Sequence, residues 1–296
     1  MKRIFLFGLM AVLAMVAKAE GIVVHTIGDS TMSHYDQDIP AQKGMDGWGD
    51  FLQDCMKEGV TVYNWADRGE TARSYYRGYW NGMKPKERPD FKQEINKEVH
   101  AGDYVIIQFG HNDSKAYSTV KYEEWLGTLV DAVKEKGATP IVASSICRCR
   151  FDNDGKIAPI GRIDRIEESN RIQEEGAEVD KHSFDYPYHA RKVAEAKGIE
   201  FIDVTTGVKQ LFEEMGEART RAFFPGDERT HTNAFGAKTI AKIAARLLLD
   251  TKLKKYVNPK ALTLPTKQEV EAHIQKTPAQ PAPQGKDKED EWLNRN

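Results

Sequence analysis

The residues of this chain best suited to covalent chemistry sit on separate polar loops. Ser30 lies in Gly28-Asp29-Ser30-Thr31, directly after the apolar run 22–27. A strand that delivers a serine to the carboxyl edge of a sheet puts it where open α/β proteins bind ligands. A serine hydroxyl attacks an acyl carbon only with help. It needs a base within reach, a group that orients the base, and donors aimed at the developing oxyanion. The amide of Ser30 itself is one such donor. The loop at 64–71 contains Gly69, which has no Cβ to obstruct a close approach of its amide. Gly110-His111-Asn112-Asp113 offers the Asn112 side-chain amide as a neutral donor. In the segment 224–233, His231 lies in a polar loop as the candidate base, and Asn233 suits the N-cap of the helix that follows. Each stretch alone also reads as a turn or a cap. Four of them in chain order are much harder to obtain by chance.

These loops need a scaffold that brings strand ends together. Apolar, β-branched runs at 22–27, 60–65, 104–109, 140–144 and 199–204 read as strands. Helical patterns lie at 48–58, 120–136, 188–197 and 234–249. The run 104–109 is nearly continuous in apolar residues, as expected for a strand covered on both faces. Val120, Trp125, Leu126, Leu129, Val130 and Val133 follow helical spacing, and Gly137 stops that helix. Alternating strands and helices imply right-handed parallel units. The predicted fold class is α/β, a three-layer α/β/α flavodoxin-like sandwich on a five-stranded parallel sheet. A charged helical insertion is expected at about 160–182, either a solvated excursion or a wall beside the site.

The ends read differently. Met1-Lys2-Arg3, the short apolar stretch 4–16 and Ala17-Lys18-Ala19 have the form of a signal peptide over residues 1–19. The expected mature chain starts at Glu20 and is exported, to a periplasm or outside the cell. The domain should span 20–264. Residues 265–296 read as a mostly disordered tail, Pro-rich from 278 and then charged. The formal net charge of −2 gives no basic footprint for nucleic acid, and no later stretch is apolar enough to span a bilayer. Cys55, Cys147 and Cys149 are an odd count without zinc-ligand spacing, so neither a disulfide framework nor a metal site is expected. The oligomeric state is not encoded in any motif.

Gly28-Asp29-Ser30, Gly69, Gly110-His111-Asn112-Asp113 and a terminal acid-x-x-His together resemble the four blocks of the SGNH (GDSL-like) hydrolases. Gly28-Asp29-Ser30-Thr31, Gly47-Trp48-Gly49, the Phe151 to Lys156 stretch and Asp185-Tyr186-Pro187 are most similar to the rhamnogalacturonan acetylesterase branch. The resemblance covers about residues 21–249. It implies the SGNH hydrolase fold, no cofactor, and removal of acetyl groups from a pectic polysaccharide. It assigns Ser30 as nucleophile, His231 as base, and Ser30, Gly69 and Asn112 as the oxyanion hole. The family usually has Asp three residues before the histidine. Here Glu228 holds that place and Asp227 is one residue further away. Glu reaches roughly 1.5 Å further than Asp, and spacing favours Glu228 over Asp227.

Expected substrate contacts are Trp48, His111, Arg68 and Tyr75. Tyr75, Tyr76, Tyr79 and Trp80 form either a sugar-stacking wall or a packing stripe. Arg68 and Arg73 meet either uronate carboxylates or ordinary surface partners. His25, inside the first strand, reads as structural. Competing functions are an esterase or lipase-like hydrolase on another glycan or acyl ester, a non-catalytic glycan-binding module, and a metal-dependent phosphatase built on Asp29 and Asp113. The last leaves His231 and Asn112 without a role.

Overall fold

The computed structural model describes residues 21–77, 97–158 and 182–277. The expected signal peptide, Tyr79, Trp80, nearly all of the insertion and the tail from 278 lie outside the described residues. Five strands, β1 (Ile22–Gly28), β2 (Val60–Asn64), β3 (Tyr104–Gln108), β4 (Thr139–Ala143) and β5 (Glu200–Ile202), form one sheet in the order β2-β1-β3-β4-β5. All neighbouring strands are parallel. The order reverses at β1, which pairs with β2 on one side and β3 on the other. Thr26 is level with Asn64, and Gly28 with Gln108. The carboxyl ends of these three strands therefore lie side by side at the switch point, where open α/β sheets bind ligands.

Side-chain alternation divides the core into two layers. Val105, Ile107 and Val142 face one way, with Leu126, Leu129, Val133, Ala190 and Ala194 of the helices Thr119–Glu135 and Tyr186–Lys197 packed against them. Ile106, Ile141 and Ile202 face the other way, toward Val208, Phe212, Ile240 and Ala244 of the helices Val204–Met215 and Ala234–Leu248. The molecule is the expected three-layer sandwich. No helix among the described residues is long and apolar enough to cross a membrane.

Three local expectations change. The stretch 48–58 is not one helix but two short 3-10 turns, Trp48–Phe51 and Gln53–Cys55. Its start is pressed onto the Ser30 turn: Trp48 N–H donates to Thr31 O and Gly49 N–H to Met32 O, both at 3.2 Å. A Cβ on Gly47 would come within 2.3 Å of Ser33 O, and one on Gly49 within 2.6 Å of Met32 O. Glycines that allow this approach also weaken a helix. The helix Val204–Met215 was hidden because Val204 reads as the end of a strand and Thr205-Thr206-Gly207 as a turn. Asp203 caps it by accepting from Thr206 N–H, and Val204, Val208, Leu211, Phe212 and Met215 form its buried stripe. Part of the expected tail is helical. Lys267–Lys276 is a helix with a Thr266–Glu269 capping box, anchored by the fully buried Val270 and an Arg219–Glu271 ion pair. A capping box in a polar stretch supports a helix that composition alone does not suggest.

Candidate active site

The turn after β1 is built to hold Ser30 still. Asp29 is fully buried beside it. Its Oδ1 accepts from Thr31 N–H (3.1 Å) and Thr31 Oγ1 (2.8 Å), and its Oδ2 faces His111 N–H at 3.4 Å. Burial pushes the Asp29 acid up, against the pull of these donors. Thr31 Oγ1 in turn accepts from Gln108 Nε2 (2.8 Å), and Gln108 Oε1 accepts from the Trp48 indole N–H (2.9 Å). A buried relay from Trp48 through Gln108 and Thr31 thus fixes Asp29 and the turn. Tyr35 adds a second strap by donating its hydroxyl to Ser30 O at 2.8 Å.

His231 approaches from the loop before the helix Ala234–Leu248. Its Nε2 lies 2.9 Å from Ser30 Oγ. Its Nδ1 lies 3.4 Å from Glu228 Oε2, and both side chains are largely buried. Glu228 Oε1 accepts from three successive backbone N–H groups: Arg229 at 2.8 Å, Thr230 at 2.6 Å and His231 at 3.1 Å. Burial opposes ionisation of this carboxyl. The imidazole beside it and the N–H donors outweigh burial and hold Glu228 well below the usual carboxylate range. The loop is pinned from below by Arg221, which donates to Glu228 O (2.7 Å) and Gly226 O (2.5 Å). Thr232 Oγ1 donates to Asp46 O (2.8 Å), and Asp46 N–H to Thr232 O (2.7 Å). Asn233 caps the helix as expected, accepting from Gly236 N–H at 3.0 Å.

The candidate oxyanion donors Gly69 and Asn112 lie on the loops after β2 and β3. Asp67 N–H donates to Gly28 O (3.0 Å), tying the Gly69 loop to the Ser30 turn. Gly69 has φ +78°, a conformation that glycine adopts without strain. Asn112 Nδ2 donates to Glu70 O at 2.9 Å, which places its amide beside Gly69. Asp113 Oδ1 accepts from Ala72 N–H at 3.0 Å and locks the same two loops together from inside. Burial, opposed by that N–H and reinforced by the Asp29 charge, pushes Asp113 up to about 8. Asp29 and Asp113 are therefore struts between site loops, and neither presents its carboxyl to solvent.

The structure brings Ser30, Gly69, Asn112, His231 and Glu228 together and turns Asp227 away. The Asp227 side chain is fully exposed, with Arg221 Nη2 3.7 Å away as its ion-pair partner. Three expected substrate contacts are corrected. Trp48 is fully buried in the relay described above. Tyr75 is buried against Phe109 at 5.2 Å between ring centroids and donates its hydroxyl to Trp65 O at 2.8 Å. The His111 ring is buried, with Nε2 3.1 Å from Ile146 O. Aromatic residues near a site loop in sequence are as free to point inward as outward, and these fill the core. Arg68 stays at the rim: it is exposed, and its guanidinium lies 5.6 Å from the Tyr35 ring centroid. The Tyr35 ring meets His231 edge-on at 6.1 Å.

Sequence reasoning missed Tyr35, Gln108 and Arg221. Tyr35 and Arg221 carry no motif. Gln108, as a polar residue inside the apolar run of β3, was a visible signal.

Comparison with known proteins places the chain as a whole. The sequence profile of the GDSL-like Lipase/Acylhydrolase family matches residues 26–239. The chain is 28% identical over 242 residues to "Rhamnogalacturonan acetylesterase RhgT" of Bacillus subtilis, covering 76% of this chain and 88% of that protein. It is 26% identical over 247 residues to "Rhamnogalacturonan acetylesterase" of Emericella nidulans, covering 77% and 85%. Among solved structures, Bacillus subtilis YxiM superposes with a TM-score of 0.59 at 21% identity, over 77% of this chain and 56% of that one, a likeness of fold. With the four sequence blocks converging on one sheet edge and the family profile spanning most of the described residues, the chain belongs to the GDSL-like lipase/acylhydrolase family.

Proposed function

We propose that this protein is an exported acetylesterase that removes O-acetyl groups from a plant cell-wall polysaccharide, rhamnogalacturonan being the substrate that the named relatives favour. The observation that carries the reading is the 2.9 Å contact between Ser30 Oγ and His231 Nε2, with a buried, ionised Glu228 behind the ring. In the forward step, Ser30 Oγ adds to the acetyl carbon while His231 Nε2 takes the hydroxyl proton. The negative charge on the acetyl oxygen meets the amides of Ser30 and Gly69 and the Asn112 side chain. Glu228 stabilises the imidazolium without taking its proton. Collapse expels the sugar oxygen, which leaves with the proton from His231. Water then repeats the sequence on acetyl-Ser30 and releases acetate. Export rests on the leader-like N-terminus alone.

The test is acetate release from acetylated rhamnogalacturonan and from p-nitrophenyl acetate, with wild type and Ser30→Ala. Release from both by wild type and from neither by the variant is the expected result. Activity that survives Ser30→Ala would remove the nucleophile assignment. Hydrolysis of the small ester without the polymer would move the substrate to another acyl ester.

A further inference from the structure

The loop after β2 continues into the short helix Ala72–Arg77, whose outer face carries two guanidinium groups. Arg73 lies 5.7 Å from the Tyr117 ring centroid and 5.8 Å from that of Trp125, and its Nη1 donates to Tyr117 Oη at 3.1 Å. Arg77 lies 4.8 Å from the same Trp125 ring. Neither has a carboxylate partner among the described residues. Acids on the neighbouring elements are engaged elsewhere: Glu70 accepts from Ser74 Oγ, Glu123 pairs with Lys192 and Glu124 with Lys121. Two like charges held beside one indole ring repel each other unless an anion joins them. A guanidinium backed by a ring loses little rotamer freedom on binding, and its N–H edge stays open for bidentate contact with a carboxylate.

The position of this pair matters as much as its charge. Arg73 is four residues beyond Gly69, and Tyr117 five beyond Asn112. Four residues of chain span at most about 14 Å, and Arg77 lies about one helical turn, roughly 6 Å, beyond Arg73, so the pair lies within a short oligosaccharide's length of the proposed oxyanion donors. Trp125, Tyr117 and Arg73 are partly exposed and Arg77 is exposed, so a ligand has access to them.

We infer that Arg73 and Arg77, backed by Trp125 and Tyr117, form a carboxylate subsite for an acidic sugar chain whose acetylated residue lies at Ser30. The subsite binds uronate groups by charge and offers aromatic edges to the sugar rings. It deepens, and rests on, the proposed polysaccharide acetylesterase activity.

The experiment compares wild type with the double variant Arg73→Gln/Arg77→Gln on acetylated rhamnogalacturonan, on the same polymer after reduction of its carboxyl groups, and on p-nitrophenyl acetate. The variant should raise KM on the acidic polymer about tenfold with kcat little changed, each exposed charge contact contributing a few-fold. On the reduced polymer, variant and wild type should converge. Added salt should raise the wild-type KM on the acidic polymer only. An equal KM for both proteins on the acidic polymer overturns the subsite, as does the same loss on the reduced one. A second arm needs no turnover. Ser30→Ala, with and without the double substitution, is titrated with de-esterified galacturonate oligosaccharides. Charge-dependent binding lost with the two arginines supports the subsite even if the polymer proves not to be the substrate. Binding unaffected by them overturns it while leaving the esterase reading intact.

Discussion

Of the histidine–carboxylate pairs among the described residues, His25–Asp103 and His231–Glu228 make an instructive contrast, because only the second has the geometry of a catalytic base. His25 Nε2 lies 3.2 Å from Asp103 Oδ2, just ahead of β3, at the amino end of the sheet. Its other nitrogen accepts the Trp65 indole N–H at 2.9 Å. With an N–H donor fixed on Nδ1 and a carboxylate on Nε2, this ring has no lone pair left for a substrate proton. Burial lowers its pKa, against the pull of Asp103, so it is a neutral core group. His231 has the carboxylate on Nδ1 and a hydroxyl on Nε2. The same pair of residue types thus gives a packing element in one place and, in the proposed mechanism, a proton acceptor in the other. What separates them is the group that occupies the second nitrogen.

Substitutions at the two histidines should give the widest separation. His231→Ala should lower kcat on p-nitrophenyl acetate by about 10⁴–10⁶. His25→Ala should leave kcat within about threefold and lower Tm by roughly 5–10 °C, through a cavity and an orphaned Trp65 N–H. Comparable losses of kcat at both sites would dissolve the contrast. The carboxylates come next. Glu228→Gln should cost about 10³–10⁴ in kcat, whereas Asp227→Asn, whose side chain stands in solvent, should change kcat less than twofold. A large loss at Asp227 would mean that the loop rearranges around substrate. Asn112→Ala should lower kcat by about 10²–10³ with KM little changed, since an oxyanion donor acts in the transition state.

Acid stability gives the smallest and most selective effect. Glu228 is depressed in the folded state, so its contribution is full above the unfolded value of about 4.3 and drains as pH falls below it. The Tm gap between wild type and Glu228→Gln should therefore narrow below about pH 4. His25 is also depressed, but as a base: the unfolded chain takes up the proton first, and stability begins to fall as pH drops through about 6.5. The Tm of His25→Ala should be flatter than wild type between about pH 6.5 and 5. A single shared pH window for both losses would argue against separate roles.

The sequence announced the catalytic edge better than it announced what lies behind it. Ser30, Asn112 and His231 were legible because each directly follows a strand or precedes a helix with clear periodicity. The strands were legible because a sheet covered on both faces demands continuous apolar runs. Glu228 was readable by spacing, and geometry rather than residue type separates it from Asp227. Trp48, Tyr75 and His111 were misread as substrate contacts because adjacency to a motif says nothing about which way a side chain points. Their burial follows from long-range partners, Gln108, Phe109 and Ile146, that only the fold brings near. Val204–Met215 was missed for a local reason: its first turn is Thr-Thr-Gly, and only the Asp203 cap and the stripe beyond reveal the helix.

The three N–H groups gathered on Glu228 Oε1 have a consequence for how the site tolerates motion. Acid and base are locked to each other by bonds within one four-residue segment, so their mutual geometry is a local property of that segment. The 2.9 Å gap to Ser30 is the coordinate that depends on the packing of the whole domain. Thermal displacement or a distant mutation will shift the segment as a rigid body. It will open or close the serine contact while leaving the imidazole in the same tautomer. Losses of activity caused by loosening the scaffold should then be reversible on cooling, because the proton-accepting unit has kept its shape.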